Sequence, residues 1–434
     1  MLPERFTYPF CYVPHPLVRE AAQSLIERLD RGESLDGEAL ESLSAGKMLG
    51  ALIALDEAGN TVTLYAFSGL VGGRSVLPGF VEPIFDWAAP GGFFRVHEAE
   101  ISAMEDGVLK SRASAELQDW LFEQYKVLNA RGEELTIKEV FARAGLVPPG
   151  GTGECAAPKL LQGAYRAGLK PLAMGEFWYG AASSSEVRQK GRFYPSCTGK
   201  CGPLLSFMME GLDVDANPLD RDYFPEPAVL YSDESIIVVN KPAGALSVPG
   251  RVPSPSMIDW LSARYGNVFS CHRLDMDTSG VMVYARTAEA KSCLEAQFAA
   301  GTVEKCYRAR LVAGAFRHAR KGTIALPLML DYYDRPRQIV DFEHGKKSVT
   351  DYEVLEVLPS GEREVRFIPH TGRSHQIRVH SAHSLGLGLP IRGDRLYGDP
   401  REGGEADGFE KLYLRAESIS FDHPASGERM NFRI

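Results

Sequence analysis

Residues 271–284 read CHRLDMDTSGVMVY, in which a polar loop is followed directly by an apolar, β-prone run. The loop contains two carboxylates, Asp275 and Asp277, together with the cation of Arg273. Loops held by rigid strands often carry catalytic groups, and an arginine favours the ionised form of a neighbouring carboxylate, which can then act as nucleophile or base. A turn stabilised by local side-chain hydrogen bonds has the same composition, so the loop alone leaves both interpretations open.

A second polar cluster occupies residues 369–380, PHTGRSHQIRVH, which contain two arginines, three histidines and one glutamine. This density of cationic and hydrogen-bonding groups suits a polyanion or the edge of a base, and a solvated polar loop is the alternative. Period-two alternation predicts a strand-like segment with Arg378 and His380 on one face. Further along, GDRLYG at 393–398 predicts a Gly-flanked turn with another arginine and a tyrosine.

Charge is distributed unevenly along the 434 residues. Residues 1–227 hold 21 basic and 31 acidic side chains, and residues 228–434 hold 27 and 26, so the two halves carry −10 and +1. The overall charge of −9 argues against nucleic-acid binding, since phosphate contacts depend on Lys and Arg. Because the negative charge lies in residues 1–227, this argument against nucleic-acid binding applies to the first half alone. A polyanion site in the second half must therefore be a local cleft.

Length and composition predict a globular protein of two or three domains. Hydrophobic residues make up 44% and charged residues 24%, which excludes a mainly disordered chain. The sequence has no run of 18 apolar residues, its start lacks a signal-peptide pattern, and its seven cysteines are few and odd in number. These features predict a reduced, cytoplasmic protein that neither crosses a membrane nor depends on disulfides.

Residues 213–227 are polar and proline-rich, and we interpret them as a linker. The region before them, 1–212, is predicted to be a separate α/β domain. We expect it to be strand-rich up to about residue 105, helical over 106–146, and Cys-containing over 147–212. The region after the linker, 228–434, alternates strands with few helices, which predicts an α+β fold.

Local signals place several elements within these regions. Apolar runs at 48–55 and 61–67 flank a turn and predict a hairpin. Helical spacing of apolar residues predicts a helix over 114–130, and a capping box predicts the start of another at Thr136. A third helix is expected over 288–300.

Five motifs in the second half resemble, in content and order, those of the RluA family of RNA pseudouridine synthases. They are VVNKPAG at 238–244 with SVPG at 247–250, HRLD at 272–275 with TSG at 278–280, EKCYRAR at 304–310, TGRSHQIRVH at 371–380, and GDRLYG at 393–398. The resemblance covers residues 228–434, just under half of the chain. It implies the pseudouridine-synthase fold, a mixed, mainly antiparallel sheet flanked by helices and loops, with an active-site cleft across the sheet.

The resemblance also implies roles for individual residues. Asp275 matches the essential catalytic aspartate, and Arg378 matches the basic residue that pairs with it. Tyr307 matches the tyrosine that stacks on the flipped base and is a candidate for proton transfer. Arg273 matches the arginine that enters the helix stack where the target uridine leaves. Asp277 is assigned no role. The other residues expected to contact RNA are His272, Lys305, Arg373 and His375.

The implied reaction turns uridine into pseudouridine by breaking the N1–C1′ bond, turning the base and joining C5 to C1′. No redox change or group donor is involved, so no cofactor is required. The base must leave its stack at a cost of a few kcal/mol, and stacking on an aromatic side chain contributes about 1–3 kcal/mol. One ionised aspartate can attack C1′ or remove the C2′ proton, and both routes stay open. We expect a monomer acting on uridines in 23S rRNA, tRNA or both.

The first half lacks the basic pattern of the S4 RNA-binding module that relatives often carry. It contains Cys155, Cys197 and Cys201, which permit a zinc site of three thiolates, with metal-free reduced thiols as the alternative. Their arrangement weakly resembles that of cytidine deaminases, in which a helix-borne ligand and a glutamate precede a cysteine pair. Ala157 stands in place of that glutamate and the pair is spaced C-x3-C, so we expect no deamination.

Overall fold

The computed structural model describes residues 2–33, 35–182, 187–218, 224–250, 255–332, 334–398 and 411–434. Within the predicted linker, residues 219–223 lie outside the described residues. The chain forms two compact units. The amino-terminal unit comprises Met1–Ser183, Arg188–Asn217 and Asp331–Pro336, and the carboxy-terminal unit comprises Ser184–Val187, Pro218–Leu330 and Arg337–Ile434. No described helix is both long and apolar enough to cross a membrane.

The elements of the amino-terminal unit are, in chain order, α1 (Pro16–Asp30), α2 (Gly37–Ser44), β1 (Lys47–Leu55), β2 (Thr61–Phe67), α3 (Phe93–Ser102), α4 (Gly107–Gln124), β3 (Lys126–Leu128), β4 (Glu134–Thr136), α5 (Ile137–Arg143), α6 (Ala156–Arg166), β5 (Lys170–Tyr179), β6 (Phe193–Tyr194) and α7 (Gly202–Met208). An antiparallel sheet has the strand order β2-β1-β5-β6, and β3 pairs with β4. The predicted hairpin is confirmed as β1 and β2, and the capping box at Thr136 is confirmed at the start of α5.

The prediction that the first 105 residues are strand-rich is wrong. Within residues 2–33 and 35–105, which the structure describes, there are three helices, α1 to α3, and two strands of the sheet, β1 and β2. The clearest omission is α1, in which Pro16 occupies the first turn and fixes φ. Val18, Leu25 and Leu29 lie at helical spacing and are buried on one face, so packing of that face stabilises the helix.

The helix predicted over 114–130 is present but displaced. It is α4, which begins earlier, at an Asp106 cap, and ends at Gln124. The chain cannot remain helical to residue 130, because Lys126, Val127 and Leu128 pair with β4. The region expected to be helical over 106–146 therefore contains two helices separated by a short hairpin.

The elements of the carboxy-terminal unit are β7 (Ala228–Ser232), β8 (Ile236–Lys241), α8 (Met257–Tyr265), β9 (Phe269–Ser270), β10 (Ser279–Ala285), α9 (Ala288–Ala300), β11 (Glu304–Leu311), β12 (Lys321–Ala325), β13 (Leu328–Leu330), β14 (Gln338–Val340), β15 (Val349–Val357), β16 (Arg363–Pro369), α10 (Gln376–Ala382), β17 (Leu414–Asp422) and β18 (Arg429–Arg433). A ten-stranded sheet has the order β12-β15-β16-β11-β17-β10-β8-β7, with β18 beside β17 and β9 beside β10. Among its described strands, β10 and β17 are parallel and the other pairs are antiparallel, which confirms a mixed, mainly antiparallel sheet.

Helices cover both faces of this sheet where β8 and β10 lie side by side. On one face, Val238 and Val283 pack with Leu294 of α9. On the other face, Val239 and Met282 pack with Leu261 of α8. A strand segment buried on both faces is apolar, as β8 is from Ile236 to Val239. The polar loop that enters β10 is therefore anchored on a rigid part of the core.

The prediction of a strand-like segment around Arg378 is wrong, because residues 376–382 form α10. Every residue of this helix is buried, so the sequence shows no polar face from which helical periodicity could be recognised. His375 precedes the helix in a left-handed conformation, with φ at 53°. In a helix, residues two apart do not share a face, and Arg378 and His380 accordingly bind different partners.

His380 predicts a pH dependence of stability. Its side chain is 0% exposed and lies at hydrogen-bonding distance from the Thr350 hydroxyl and the Leu326 carbonyl. Burial lowers the pKa of His380 to about 4, below its ordinary value of 6.5. Between these values the unfolded chain binds a proton that the folded chain does not, so stability falls as the pH falls from 6.5 towards 4. The loss from this group is about 3 kcal/mol.

Chemical denaturation of the full chain at pH values between 7 and 4 measures this effect. We expect His380→Gln, which keeps a polar side chain but does not titrate, to lose stability less steeply over that range than the wild type. Equal slopes for the two proteins would show that His380 does not contribute to acid sensitivity.

Candidate active site

The loop before β10 is pinned on both sides of Asp275. The Ser247 hydroxyl donates to the Leu274 carbonyl at 2.7 Å and accepts the Leu274 N–H at 3.1 Å. On the other side of Asp275, the Lys241 ammonium donates to the Met276 carbonyl at 2.9 Å. Gly244 N–H donates to the same carbonyl at 2.8 Å. The backbone around Asp275 is thus fixed by Lys241 and Gly244 of the VVNKPAG motif and by Ser247 of the SVPG motif.

Lys241 is a buried ammonium with all three hydrogens used. Besides Met276, it donates to the carbonyls of Pro242 at 3.0 Å and Ala245 at 2.7 Å. Burial lowers the pKa of Lys241 to about 7, while the charges of Asp277 and Asp275 act in the opposite direction. Lys241 thus connects the loop that follows β8, through Pro242 and Ala245, to the loop that contains Met276. The sequence motif alone does not show this connection.

Sheet register brings this loop close to Tyr307. Gly280, at the start of β10, pairs with Ala416 of β17, and Ala416 in turn pairs with Tyr307 of β11. Gly280 has φ at +123°, and a Cβ at this position would clash with the backbone of Ala416. A glycine is therefore required for β10 to approach β17 so closely.

Asp275 and Arg378 lie together, as the resemblance implies. The Arg378 Nη1 is 3.7 Å from the Asp275 Oδ2, and the Asp275 side chain retains 25% exposure whereas that of Arg378 retains 2%. The principal partner of Arg378 is Asp394, which accepts from Nε at 2.8 Å and from Nη2 at 2.7 Å. Arg378 thus stands behind the accessible carboxylate and is oriented by a buried one.

Asp394 is a residue of this site whose contacts the sequence does not predict. It lies in the GDRLYG turn and also accepts the backbone N–H groups of Leu396 and Tyr397 at 3.0 and 3.1 Å. Burial alone would raise the pKa of Asp394, but Arg378 and the two N–H groups hold it below its ordinary value. The sequence does show that Asp394 lies in a tight turn, where backbone N–H groups can bind its carboxylate. It does not show that Arg378 is the partner of Asp394.

Tyr307 lies in the field of the same carboxylate. Burial and the nearby charge of Asp275 raise the pKa of Tyr307 well above its ordinary value. The phenol is therefore neutral at physiological pH, and it offers a ring face and an O–H donor rather than a phenolate base.

His272 and Lys305 are grouped with Phe298 beside the loop. The His272 ring stacks on Phe298 with centroids 4.7 Å apart, and its Nε2 accepts the Val283 N–H at 3.2 Å. Burial lowers the pKa of His272 to about 3, so the ring is neutral and structurally engaged. The Lys305 ammonium lies 5.9 Å from the Phe298 ring centre, and burial lowers the pKa of Lys305.

Two predicted RNA-contacting arginines are exposed. Arg273 makes no hydrogen bond or ion pair with any residue that the structure describes. Arg373 donates from Nε to the Lys347 carbonyl at 3.1 Å, so its charge is not neutralised by this contact. His375, in contrast, is held in place: its Nδ1 lies at hydrogen-bonding distance, 2.8 Å, from the Tyr397 hydroxyl, and burial lowers the pKa of His375 to about 4.

Asp277, the second carboxylate of the loop, faces a different partner. It forms an ion pair with Arg395 at 2.7 Å. The two carboxylates of the loop therefore have different partners. Asp275 lies close to Arg378, and Asp277 pairs with Arg395 of the 393–398 turn. This ion pair explains the presence of Asp277 in the loop without a role for it in the reaction.

The structure brings together one accessible carboxylate, one buried cation and one neutral phenol. An ionised carboxylate on a fixed loop can act as a nucleophile or accept a proton, and an aromatic ring beside it can stack on a base. Proximity of fixed groups lowers the barrier of such steps because little orientational freedom remains to be lost.

The three cysteines of the amino-terminal unit also lie together. Cys155 directly precedes α6, Cys201 precedes α7, and Cys197 lies four residues before Cys201. Their sulfur atoms all lie within 4.8 Å of one another. Ala157, in the position where a deaminase-like site would have its glutamate, is fully buried in the core.

Comparison with known proteins supports the resemblance of the carboxy-terminal half. A family profile described as RNA pseudouridylate synthase matches residues 235–383. The dual-specificity RNA pseudouridine synthase RluA of Haemophilus ducreyi is 44% identical over 207 residues, which are 47% of this chain and 90% of that protein. The protein of the same name from Haemophilus influenzae is 40% identical over 221 residues, 50% of this chain and 96% of that protein.

A solved structure is also similar to this part of the chain. Human RNA Pseudouridylate Synthase Domain Containing 1 is 25% identical, with a TM-score of 0.39, over 51% of this chain and 85% of that one.

The mixed sheet, together with the loop that presents Asp275, defines an enzyme of the pseudouridine synthase class. Such enzymes are isomerases, and the two relatives named above are covered along nine tenths of their length or more. The chain belongs to the RluA family of RNA pseudouridine synthases.

Proposed function

We propose that this enzyme isomerises particular uridines in stem-loops of 23S rRNA, tRNA or both, with Asp275 as the essential catalytic residue. The observation that carries the proposal is the accessible Asp275 carboxylate, 3.7 Å from a buried arginine that Asp394 orients. The names of the relatives, which specify dual-specificity RNA pseudouridine synthases, support a choice of substrate that includes more than one RNA.

The proposed reaction begins when the target uridine leaves its stack. The exposed Arg273 side chain, which is free to move into the RNA, takes the vacated place. The flipped uracil stacks on Tyr307, whose neutral hydroxyl can donate a hydrogen bond to the base. Unstacking costs a few kcal/mol, and the aromatic contact offsets about 1–3 kcal/mol of it.

Asp275 then acts on the ribose of the flipped nucleotide. It either attacks C1′ or removes the C2′ proton, and in both routes the N1–C1′ bond breaks while uracil stays bound. After the base turns, C5 bonds to C1′, the hydrogen on C5 is released as a proton, and N1 gains a proton. Atoms and electrons balance without a cofactor. Arg378, which Asp394 orients, keeps its positive charge 3.7 Å from the carboxylate throughout.

Mapping pseudouridines in total RNA from cells with and without the gene tests the assignment. We expect one or a few pseudouridines in rRNA or tRNA stem-loops to disappear without the gene and to return when the wild-type gene is restored. An unchanged map in cells without other enzymes of the same specificity would contradict the proposal.

Electrostatics predict that RNA binding depends only moderately on salt. We expect five cations to line the cleft: Arg273, Lys305, Arg308, Arg373 and Arg378. Of these, Arg308 is paired with Glu417 and Arg378 with Asp394. The three cations without a carboxylate partner among the described residues are Arg273, Lys305 and Arg373. At roughly 0.7 to 0.9 per phosphate contact, three contacts give a slope of about −2 to −3 for log K against log salt concentration.

Affinity for an RNA stem-loop, measured over a range of salt concentrations, tests this prediction. Arg273→Ala should reduce the magnitude of the slope by about 1. Arg308→Ala, which removes a cation already paired with Glu417, is the matched control and should change the slope less. A wild-type slope near −10 would require a basic surface that this account does not contain.

We further propose that the enzyme works as a monomer in the cytoplasm and that isomerisation uses no metal. Seven free cysteines support a reducing compartment. A zinc ion at Cys155, Cys197 and Cys201, which the sequence permits beside the alternative of metal-free thiols, would bind in the amino-terminal unit and would take no part in the isomerisation.

A further inference from the structure

Three cysteines from two separate segments of the amino-terminal unit converge on one point. Cys155 is 42 residues before Cys197 in the sequence, yet the sulfur atoms of Cys155, Cys197 and Cys201 all lie within 4.8 Å of one another. The Cys155 side chain makes no capping bond to the helix it precedes, so its sulfur is directed to the cluster rather than to the backbone of α6. This is the one such group of potential metal ligands in the part of the chain that the structure describes.

The spacing of the sulfur atoms fits a tetrahedral metal centre. A zinc–sulfur bond is about 2.3 Å long, so two thiolates on one tetrahedral zinc ion are about 3.8 Å apart. Sulfur atoms within 4.8 Å of one another need only a small contraction to reach that distance. Soft thiolates select zinc over the hard cations magnesium and calcium.

We propose that Cys155, Cys197 and Cys201 bind one zinc ion, with the fourth position taken by water or another exogenous ligand. Among the described residues, no fourth Cys, His, Asp or Glu ligand atom joins the group within the same distance. A disulfide would involve two of these cysteines and would not account for the position of the third, whereas one metal ion can bind all three sulfur atoms.

Glu176 supplies an independent observation. Its carboxylate is 5% exposed, and it accepts the Ala157 N–H at 3.2 Å and the Ser196 hydroxyl at 2.6 Å. Ala157 lies two residues after Cys155, and Ser196 lies directly before Cys197. One buried carboxylate therefore braces both segments that deliver the ligands, as hydrogen-bonding groups around metal sites commonly do.

A metal at this position would connect α6 to α7 within the core. Cys201 is buried in the same hydrophobic cluster as Leu160 of α6 and Leu204 of α7, and Cys155 and Cys197 pack against that cluster. The free energy of metal binding is then available to the fold of the amino-terminal unit. Its function would be structural and separate from the Asp275 site.

Metal analysis of the purified full-length chain tests the proposal. We expect about one zinc ion per wild-type chain, and less than a fifth of that in Cys155→Ser, Cys197→Ser and Cys201→Ser. Cys293→Ser is the matched control, because Cys293 lies in the carboxy-terminal unit outside the cluster, and it should retain the wild-type zinc content. A wild-type chain that lacks zinc after expression in zinc-supplemented cells would overturn the proposal.

Two further measurements keep the test decisive if the serine variants do not fold. Titration of the wild-type chain with a thiol-specific mercurial should release its zinc as three thiols react. Glu176→Gln, which keeps all three thiols, should bind zinc about 10- to 100-fold more weakly in competition with a chelator. Zinc release that is unrelated to thiol modification, together with unchanged affinity in Glu176→Gln, would contradict the assignment.

Discussion

Replacing Asp275 by Asn is expected to reduce the rate of uridine isomerisation by roughly 10³-fold or more, since removal of an essential catalytic group has effects of this size or larger. The amide has nearly the same shape as the carboxylate, but it can neither attack C1′ nor accept the C2′ proton. RNA binding should persist, because the exposed cations that approach phosphate are unchanged. Release of tritium from uracil C5 in labelled RNA measures the rate, and a filter-binding titration measures the affinity.

Asp277→Asn is the matched control for this prediction. It removes the same charge from the same loop, two residues away, where the carboxylate pairs with Arg395 at 2.7 Å. We expect its isomerisation rate to stay within several-fold of the wild type. If Asp275→Asn were as active as Asp277→Asn, the carboxylate that we place at the reaction would not be the catalytic one.

Replacing Asp394 by Asn should lower kcat by about 10²-fold with little change in KM, which is the usual cost of displacing a catalytic group by about 1 Å. In the wild type, Asp394 accepts two hydrogen bonds from Arg378 at 2.8 and 2.7 Å. Without that charge, Arg378 turns towards the carboxylate 3.7 Å away and binds Asp275 directly. The Asp275 carboxylate is then bound to Arg378 and is no longer positioned to react with the substrate.

Breaking a buried ion pair also costs about 3–5 kcal/mol of stability, so the kinetic effect needs a control that loses a similar pair. Glu417→Gln provides it. Glu417 is a buried carboxylate that forms ion pairs with Arg308 at 2.8 Å and Arg433 at 3.2 Å, and it does not contact Arg378 among the described residues. We expect Glu417→Gln to lower the free energy of unfolding but to leave kcat near the wild-type value. Equal losses of kcat in the two variants would mean that Asp394 acts through general stability alone.

Much of the carboxy-terminal fold follows from local patterns. The run at 281–284 forms β10, and the helix expected over 288–300 is α9, ending at Gly301 in the left-handed conformation. Both predictions rest on signals within a few residues, namely an apolar run and a glycine at the helix end. The mixed, mainly antiparallel sheet was implied by the family motifs and is confirmed.

The elements that were predicted wrongly lack such local signals. In α10, every position is buried, so neither a helical nor a strand period is visible, and Arg378 was placed on a strand. In the first 105 residues, short apolar runs suggested strands. Residues 16–30 form the helix α1 instead, because packing of its buried face stabilises a helix there.

Within the site, contacts between distant segments could not be predicted from the sequence. Asp394 and Lys241 lie in the quoted motifs, yet their partners, Arg378 and Met276, are fixed only by the tertiary fold. The same holds for Glu176, which binds the first turn of α6 and a loop residue about 40 positions further along, Ser196. A buried charge becomes informative only when the group that satisfies it is known.

The most direct test of the central claim is complementation followed by base-resolution mapping of pseudouridine. Cells that lack the gene would be supplied with the wild-type chain, with Asp277→Asn or with Asp275→Asn, each produced at an equal level. The account predicts that the missing pseudouridines return with the wild type and with Asp277→Asn, and that none returns with Asp275→Asn. Restoration of those sites by Asp275→Asn would contradict the assignment of Asp275 as the catalytic residue.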